Sequence, residues 1–600
     1  MRYQQLVLLA TPCLLWIASA CVSPQNDRAP ARVELPTGQG QDFTRFQERF
    51  LEQLWRLDPD WALEVGYYRY KDQLVIPDQA HRERFLDFCR SMSAELKSIP
   101  HSTLSPVQQV DYKLVENFLV SSIWEIETFQ DFRWNPAQYN IGSSIASLFE
   151  AQRLSLEEQL QAATAKLEQA GRYYAAAQAS IDNPTREHTD LAILQHSGLI
   201  QEWETVYLPK VNQSKLTDAE KKRFLTSVTE ASQAVRKHVA WLEGLKGRLK
   251  GKKARSFRLD PALYRQKFIY ELGSSYSPEE IYQKALLARD RTLDAMEKLA
   301  DELYPRYSKQ HTPPKDRLLK IRAVVAALSQ KHPEPARFRE TIAAQIPQLE
   351  AFVRAKDLLY LDPTKPLIVR DTPLYARGVA GASVDSPGPF DKAGETYYNI
   401  TPLTDYSTEE AASYLREYND YTLQVLNIHE AIPGHYTQLV HANKSPSLIK
   451  SLFGNTTMIE GWAVYAERMM LEEGYGQQSP ELWFMYYKWH LRVILNTILD
   501  YEVHNKNLDE KAALAMLQGV GFQEAAEARE KWKRATLSQV QLASYFTGYT
   551  EIYGWREQLK AAKGKTFNLR QFHDEFLSFG SAPVKYIRDM MQIKLQASAD

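Results

Sequence analysis

The sequence predicts a mainly α-helical protein with one small β-region. Three observations carry that prediction. From about residue 42 to 357, apolar residues recur at spacings of three and four, the period of a helix with one buried face. Helix starts are marked by a hydroxyl three residues before a Glu, as in Ser155 with Glu158, Thr217 with Glu220 and Ser277 with Glu280, so that side chains satisfy the first free amides. The third also places Pro278 at the first helical position. Between 358 and 402 the pattern changes to LLYLDPTKPLIVRDTPLYARGVAGASVDSPGPFDKAGETYYNITP, where Pro, Gly and short β-branched or aromatic runs suit strands and turns.

The elements follow in order. Residues 1–20, MRYQQLVLLATPCLLWIASA, combine an early Arg2, a short apolar run and small residues before Cys21, the pattern of an export signal. Ala18-Ser19-Ala20 before Cys21 reads either as an ordinary cleavage site, which gives a secreted or periplasmic protein, or as the small-residue box of a lipoprotein lipidated on Cys21; the second is favoured, because residues 21–41 form a polar tether rich in Pro and Gly that suits a chain hung from an anchor. Residues 42–357 are expected to form a helical N-terminal lobe. Residues 358–600 form the second lobe, with the β-region 358–402 leading through the cap Ser407 and Glu410 into further helices. The stretch SPELWFMYYKWHLRVILNTILDYEVH is apolar around most of its circumference and belongs in a core. No fixed-period repeat runs through these helices, so a globular bundle is expected. Cys13 leaves with the signal and Cys21 heads the mature chain, leaving Cys89 without an internal disulfide partner; it is read as a helix core residue. Formal net charge is -1, from 73 Lys and Arg against 74 Asp and Glu. No global field therefore draws the chain to nucleic acid or an acidic bilayer, and any membrane attachment is expected through the N-terminal anchor alone. Oligomeric state is not readable from the sequence.

The stretch NIHEAIPGHYTQLVH at 427–441 carries the chemistry. Two histidines four apart on a helix share a face and can bind one zinc ion, with the Glu beside the first serving as base. Here His429 and His435 are six apart, roughly 120° off a common face of a regular helix. The two extra residues arrive with Pro433 and Gly434, and a mid-helix proline forces a bulge or break. A bulge absorbing them returns His435 to the facing position. A third ligand is then required, and Glu460 in EGWAVYAE stands 25 residues after His435. Glu467, two turns further, is read as an outer partner or a structural residue. His441 is not assigned, because nothing repairs its spacing.

HEAIPGH and EGWAVYAERM together resemble a bacterial family of predicted lipoproteins of uncharacterised function, itself similar to helical zinc peptidases such as carboxypeptidase Taq and angiotensin-converting enzyme. LDPDWALEVGYYRY, GETYYNITP, SYFTGYTEIYGWREQL and FHDEFLSFGSAPVKYIRDMM extend the resemblance over most of the mature chain. It implies a large two-lobed metallopeptidase-like fold with a central cleft and the zinc at its floor. By the same resemblance Tyr545 is the expected oxyanion donor, with Tyr549 second. An edge strand containing Tyr397, Tyr398 and Asn399 is expected to pair with extended substrate backbone. Arg377 and Lys585 are cations that could receive a substrate carboxylate, and neither is assigned.

The function expected is zinc-dependent hydrolysis of peptide or related amide bonds in the cell envelope, with Zn2+ held by His429, His435 and Glu460 and water activated by Glu430. The alternative is a non-catalytic envelope lipoprotein that binds peptide or a partner in the same cleft.

Overall fold

The computed structural model describes residues 38–249, 254–308, 312–372, 381–391 and 394–597. The protein is mainly helical with a three-stranded sheet. The expected signal, tether and lipidated Cys21 lie outside the described residues, apart from the last few tether positions. Among the long helices of the N-terminal part are α1 (Asp218–Arg248), α2 (Pro261–Leu272) and α3 (Pro278–Tyr307). All four boxes read from the sequence form. The hydroxyls of Ser155, Thr217, Ser277 and Ser407 accept the amides of Glu158, Glu220, Glu280 and Glu410, and the Glu carboxylates accept the cap amides in return. Ser105 and Gln108 make a further box. Cys89 is buried in the helix Gln79–Lys97.

The sheet consists of β1 (Leu367–Asp371), β2 (Ala382–Asp385) and β3 (Thr396–Ile400). β3 is the middle strand, parallel to β1 and antiparallel to β2, and all its residues are buried. This corrects the expectation of an edge strand at Tyr397, Tyr398 and Asn399. Both hydrogen-bonding edges of β3 are occupied, so an extended peptide finds no free ladder on it. The polar side chains lock the sheet across its width: Arg370 Nε donates to Asn399 Oδ1 at 2.7 Å, and Asn399 Nδ2 donates to Asp385 Oδ2 at 2.6 Å.

After the sheet come α4 (Asp420–Glu430), α5 (His435–Ala442), α6 (Thr456–Glu472), α7 (Pro480–Asn505), α8 (Ala525–Leu537) and α9 (Ser544–Lys563). α7 is the aromatic helix, and its Phe484, Met485, Leu491, Ile494 and Ile498 are buried as expected. The boundary between 357 and 358 does not divide the hydrophobic cores. One core joins Phe43 near the N-terminus to Tyr398 of β3, Ile428 of α4 and Met591 near the C-terminus. A second joins Leu293 of α3 to Ile494 of α7 and Phe546 of α9, while a third lies wholly between Leu63 and Leu249. Tyr421, Tyr487 and Tyr549 pack against both the first and the second. Helices α6 and α9 cross backbone against backbone, since a Cβ on Gly461 would stand 2.4 Å from the Gly548 Cα. That crossing sets Glu460, the residue before Gly461, beside the first turns of α9.

Candidate metal centre

α4 brings His429 and Glu430 to its last turn, and Asn419 caps its start by accepting the Tyr421 and Thr422 amides. The helix then stops. Pro433 offers no amide to continue it, and the Ala431 and Ile432 amides both turn back to the Asn427 carbonyl at 3.0 and 3.2 Å. Trp462 of α6 donates its Nε1 hydrogen to the Pro433 carbonyl at 2.8 Å, which satisfies that group inside the core. Gly434 lies so tightly over the preceding turn that a Cβ there would stand 1.8 Å from the His429 carbonyl oxygen. α5 begins at the next residue. The extra residues are therefore taken up by a clean break between two helices. The two imidazoles meet across it, with ring centroids 4.7 Å apart and planes at 88°.

Glu460 completes the group from α6. Its Oε2 lies 3.7 Å from His429 Nε2 and 3.4 Å from His435 Nε2. Tetrahedral zinc with bonds near 2.0–2.1 Å needs donor atoms about 3.3–3.4 Å apart. The donor atoms of His429, Glu430 and His435 lie within 4.8 Å of one another, so a second carboxylate borders the same space. Two imidazoles, one carboxylate and an adjacent carboxylate are a donor set that fits zinc.

The partners of these groups fix their chemistry. Glu467 Oε1 stands 2.6 Å from His429 Nδ1 and also accepts the Trp489 Nε1 hydrogen at 3.1 Å. A buried carboxylate against Nδ1 keeps the hydrogen on that nitrogen and fixes the ring so that Nε2 is the atom turned toward His435 and Glu460. Burial disfavours charge on His429, but hydrogen bonds to Glu460 and Glu467 outweigh it and hold its pKa well above the ordinary imidazole value. Burial also works against a charged Glu460, yet its bonds to the two histidines hold it below the usual carboxylate range. Burial pushes Glu430 and Glu467 up, offset in part by the histidines.

The other assigned residues fall as follows. Tyr545 lies on α9 one turn before the Gly548 crossing, and its hydroxyl accepts from Arg534 Nη2 at 2.9 Å and from Gln541 Nε2 at 3.5 Å. Tyr549 packs its ring against His490 at 4.7 Å and Tyr553 at 5.5 Å. Tyr398 donates its hydroxyl to Asn427 Oδ1 of α4 at 2.8 Å, so it braces the histidine helix from behind. Tyr397 donates to Glu395 and lies under the Arg370 guanidinium, 3.7 Å from the ring centroid. His441 faces the Tyr360 carbonyl at 2.9 Å and takes no part in the cluster. Arg377 lies outside the described residues, and Lys585 feels the Glu551 carboxylate. The reading of the sequence missed Arg534, Trp462 and Trp489. Trp462 stood inside a quoted motif and Trp489 inside the aromatic stretch read as core; Arg534 carried no signal in its own stretch.

The family described as "Bacterial protein of unknown function (DUF885)" matches residues 59–591. The chain belongs to this family. Two solved chains share the fold seen here, each described as a "putative lipoprotein", the first "of unknown function". The one from Shewanella oneidensis is 48% identical with a TM-score of 0.83, over 92% of this chain and 99% of its own. The one from Colwellia psychrerythraea is 18% identical with a TM-score of 0.77, over 93% and 99%. No curated protein matches the chain.

Proposed function

We propose that this protein is a zinc-dependent hydrolase of peptide or related amide bonds, held at the cell envelope by a lipid on Cys21. The observation that carries the reading is the convergence of His429 and His435 on one oxygen of Glu460 across the break between α4 and α5. His429, His435 and Glu460 would hold the ion, with Glu467 orienting His429. When bound, zinc supplies Lewis acidity to a water and to the scissile carbonyl.

The chain's own groups do the rest. Glu430 follows a ligand directly and borders the same space, where its raised pKa suits a base that accepts the water proton and returns it to the leaving amine. The Tyr545 hydroxyl accepts from Arg534 and Gln541, which occupies its lone pairs and leaves its own hydrogen to be donated elsewhere. That hydrogen serves the developing oxyanion.

The test is metal analysis of the purified protein, followed by incubation with a mixed peptide pool with and without chelator. Stoichiometric zinc and chelator-sensitive cleavage are expected; neither metal nor cleavage would leave a binding protein of the same fold. For the anchor, the supports are the Ala18-Ser19-Ala20-Cys21 stretch, the polar tether and the descriptions of the two relatives. No described helix is long and apolar enough to cross a membrane. A Cys21→Ala chain is expected to move from the membrane to the soluble fraction.

A further inference from the structure

The reversal between α8 and α9 turns on one strained residue. Among the described residues seven besides glycine have positive φ, and Val540 is the one with a branched Cβ. Its φ of 71° comes with a ψ of -33°, outside the small left-handed region that L-residues tolerate and toward the rare γ-turn. Such strain persists only where the surroundings impose it, and it gathers at working sites. Here Asp500 of α7 imposes it. Both carboxylate oxygens accept the Val540 amide at 3.1 Å, and Tyr264 of α2 donates its hydroxyl to Oδ2 at 2.6 Å, which fixes the acid in turn. Asp500 and Val540 are fully buried, so an amide that left this carboxylate would go unpaired. The Val540 side chain packs in the second core with Leu542 and Phe546.

What the turn carries is the setting of Tyr545. Gln541, the next residue, opens a short 3-10 turn that leads into α9. Its Oε1 accepts Arg534 Nη2 of α8 at 2.7 Å, and the same Nη2 donates to the Tyr545 hydroxyl at 2.9 Å. The end of α8 is held as well, because His188 Nε2 faces the Leu537 carbonyl at 3.0 Å. We infer that Asp500 is a positioning residue: by holding Val540 in this turn it sets Gln541 and Arg534 on the Tyr545 hydroxyl, and so aims the hydrogen that the reaction uses. The inference rests on the reading of Tyr545 as the oxyanion donor, and the acid acts through the backbone, not on the substrate. Glycine would take the turn unaided. Valine needs the acid, so the place of the hydroxyl depends on a carboxylate of another helix.

The experiment reads the Tyr545 ring itself. 3-Fluorotyrosine placed at position 545 gives one fluorine resonance, whose position at a fixed pH reports the hydrogen bonds of its hydroxyl. Arg534→Gln supplies the resonance of a hydroxyl that has lost the guanidinium. Asp500→Ala is expected to move the signal from the parental position toward that one by more than its linewidth. Asp500→Asn, which keeps an oxygen for the Val540 amide, should hold it at the parental position. Adding Val540→Gly to Asp500→Ala should return it part of the way, because glycine takes a positive φ without being held. In peptide hydrolysis Asp500→Ala should lower kcat about 100-fold, the cost of misplacing a catalytic group by about 1 Å, with KM within about threefold of the parent's. Circular dichroism shows which variants have folded. A folded Asp500→Ala protein with the parental resonance would overturn the inference; a role confined to stability gives that result, lowering the urea midpoint and leaving the resonance in place. A double variant in which glycine restores none of the signal would overturn it too. Gln541 is half-buried, so Gln541→Ala is read whether or not Asp500→Ala folds: it should move the resonance, and the parental position there also sinks the inference. A resonance that follows Asp500 in a protein that hydrolyses no peptide would keep the clamp and remove the hydrolase reading, so the two fail separately.

Discussion

Glu467 shows how much of the site's chemistry lies beyond the residues that face its centre. It is fully buried, and its Oε1 holds both His429 Nδ1 and Trp489 Nε1. Glu467→Gln keeps the shape and an acceptor oxygen but removes the charge that makes His429 a stronger donor. Zinc affinity is expected to fall about 10- to 100-fold with the fold retained, measured by competition with a metal chelator. Substitutions nearer the centre should separate by role. Glu430→Gln should retain zinc while activity drops by about 10²–10⁴, and His435→Ala should lose zinc and activity together. A Glu430→Gln protein as active as the parent would remove the proposed base. These four residues could be named from the sequence because ligand types and spacing are local properties. Arg534 could not, because its contact with the Tyr545 hydroxyl depends on how α8 and α9 turn against one another.

At the scale of elements, the same contrast between local and distant causes decides what could be read. The capping boxes at Ser155, Thr217, Ser277 and Ser407 need only residues three apart, and each forms as expected. The middle position of β3 depends on two partners, one about thirty residues back and one arriving antiparallel, so nothing inside GETYYNITP distinguishes it from an edge. The break after Glu430 was half legible. Pro433 excluded a regular helix, but the choice of a full break over a bulge is made by Trp462, which takes the Pro433 carbonyl, and by the room Gly434 leaves. That room can be tested. Gly434→Ala puts a methyl 1.8 Å from the His429 carbonyl oxygen, a backbone clash expected to cost at least the 1–3 kcal/mol typical of overpacking. Urea unfolding should show a lower midpoint, and zinc stoichiometry should fall with it. Gly198→Ala is the control. It sits exposed in the helix Arg186–Glu202 with nothing within 4 Å of the new Cβ, so it should stabilise by up to about 1 kcal/mol.

For the whole molecule, two of the three cores cross the boundary that composition drew at 357, and one buried acid reports on how the parts hold together. Asp500 of α7 is fully buried; it accepts the Tyr264 hydroxyl of α2 at 2.6 Å and the Val540 amide before α9 at 3.1 Å. Burial pushes its pKa up to about 7, against the hydrogen bonds that favour its charged form. An unfolded Asp titrates near 3.9. Below about pH 4 both states hold the proton, so the group contributes no slope there. Between about pH 4 and 7 the native state keeps a proton that the unfolded chain has lost, so stability falls as pH rises, by up to about 1.4 kcal/mol per unit from this residue. Above about pH 7 both states are ionised and the contribution levels off. Asp385, also pushed up to about 7 by burial, adds a slope of the same sign. The test is therefore a difference between proteins: Asp500→Asn should be stabilised relative to the parent by an amount that grows from pH 4 to 7 and then stays constant. Urea midpoints measured across that range decide it, and a parallel pair of pH profiles would show that Asp500 is ionised in the native state throughout.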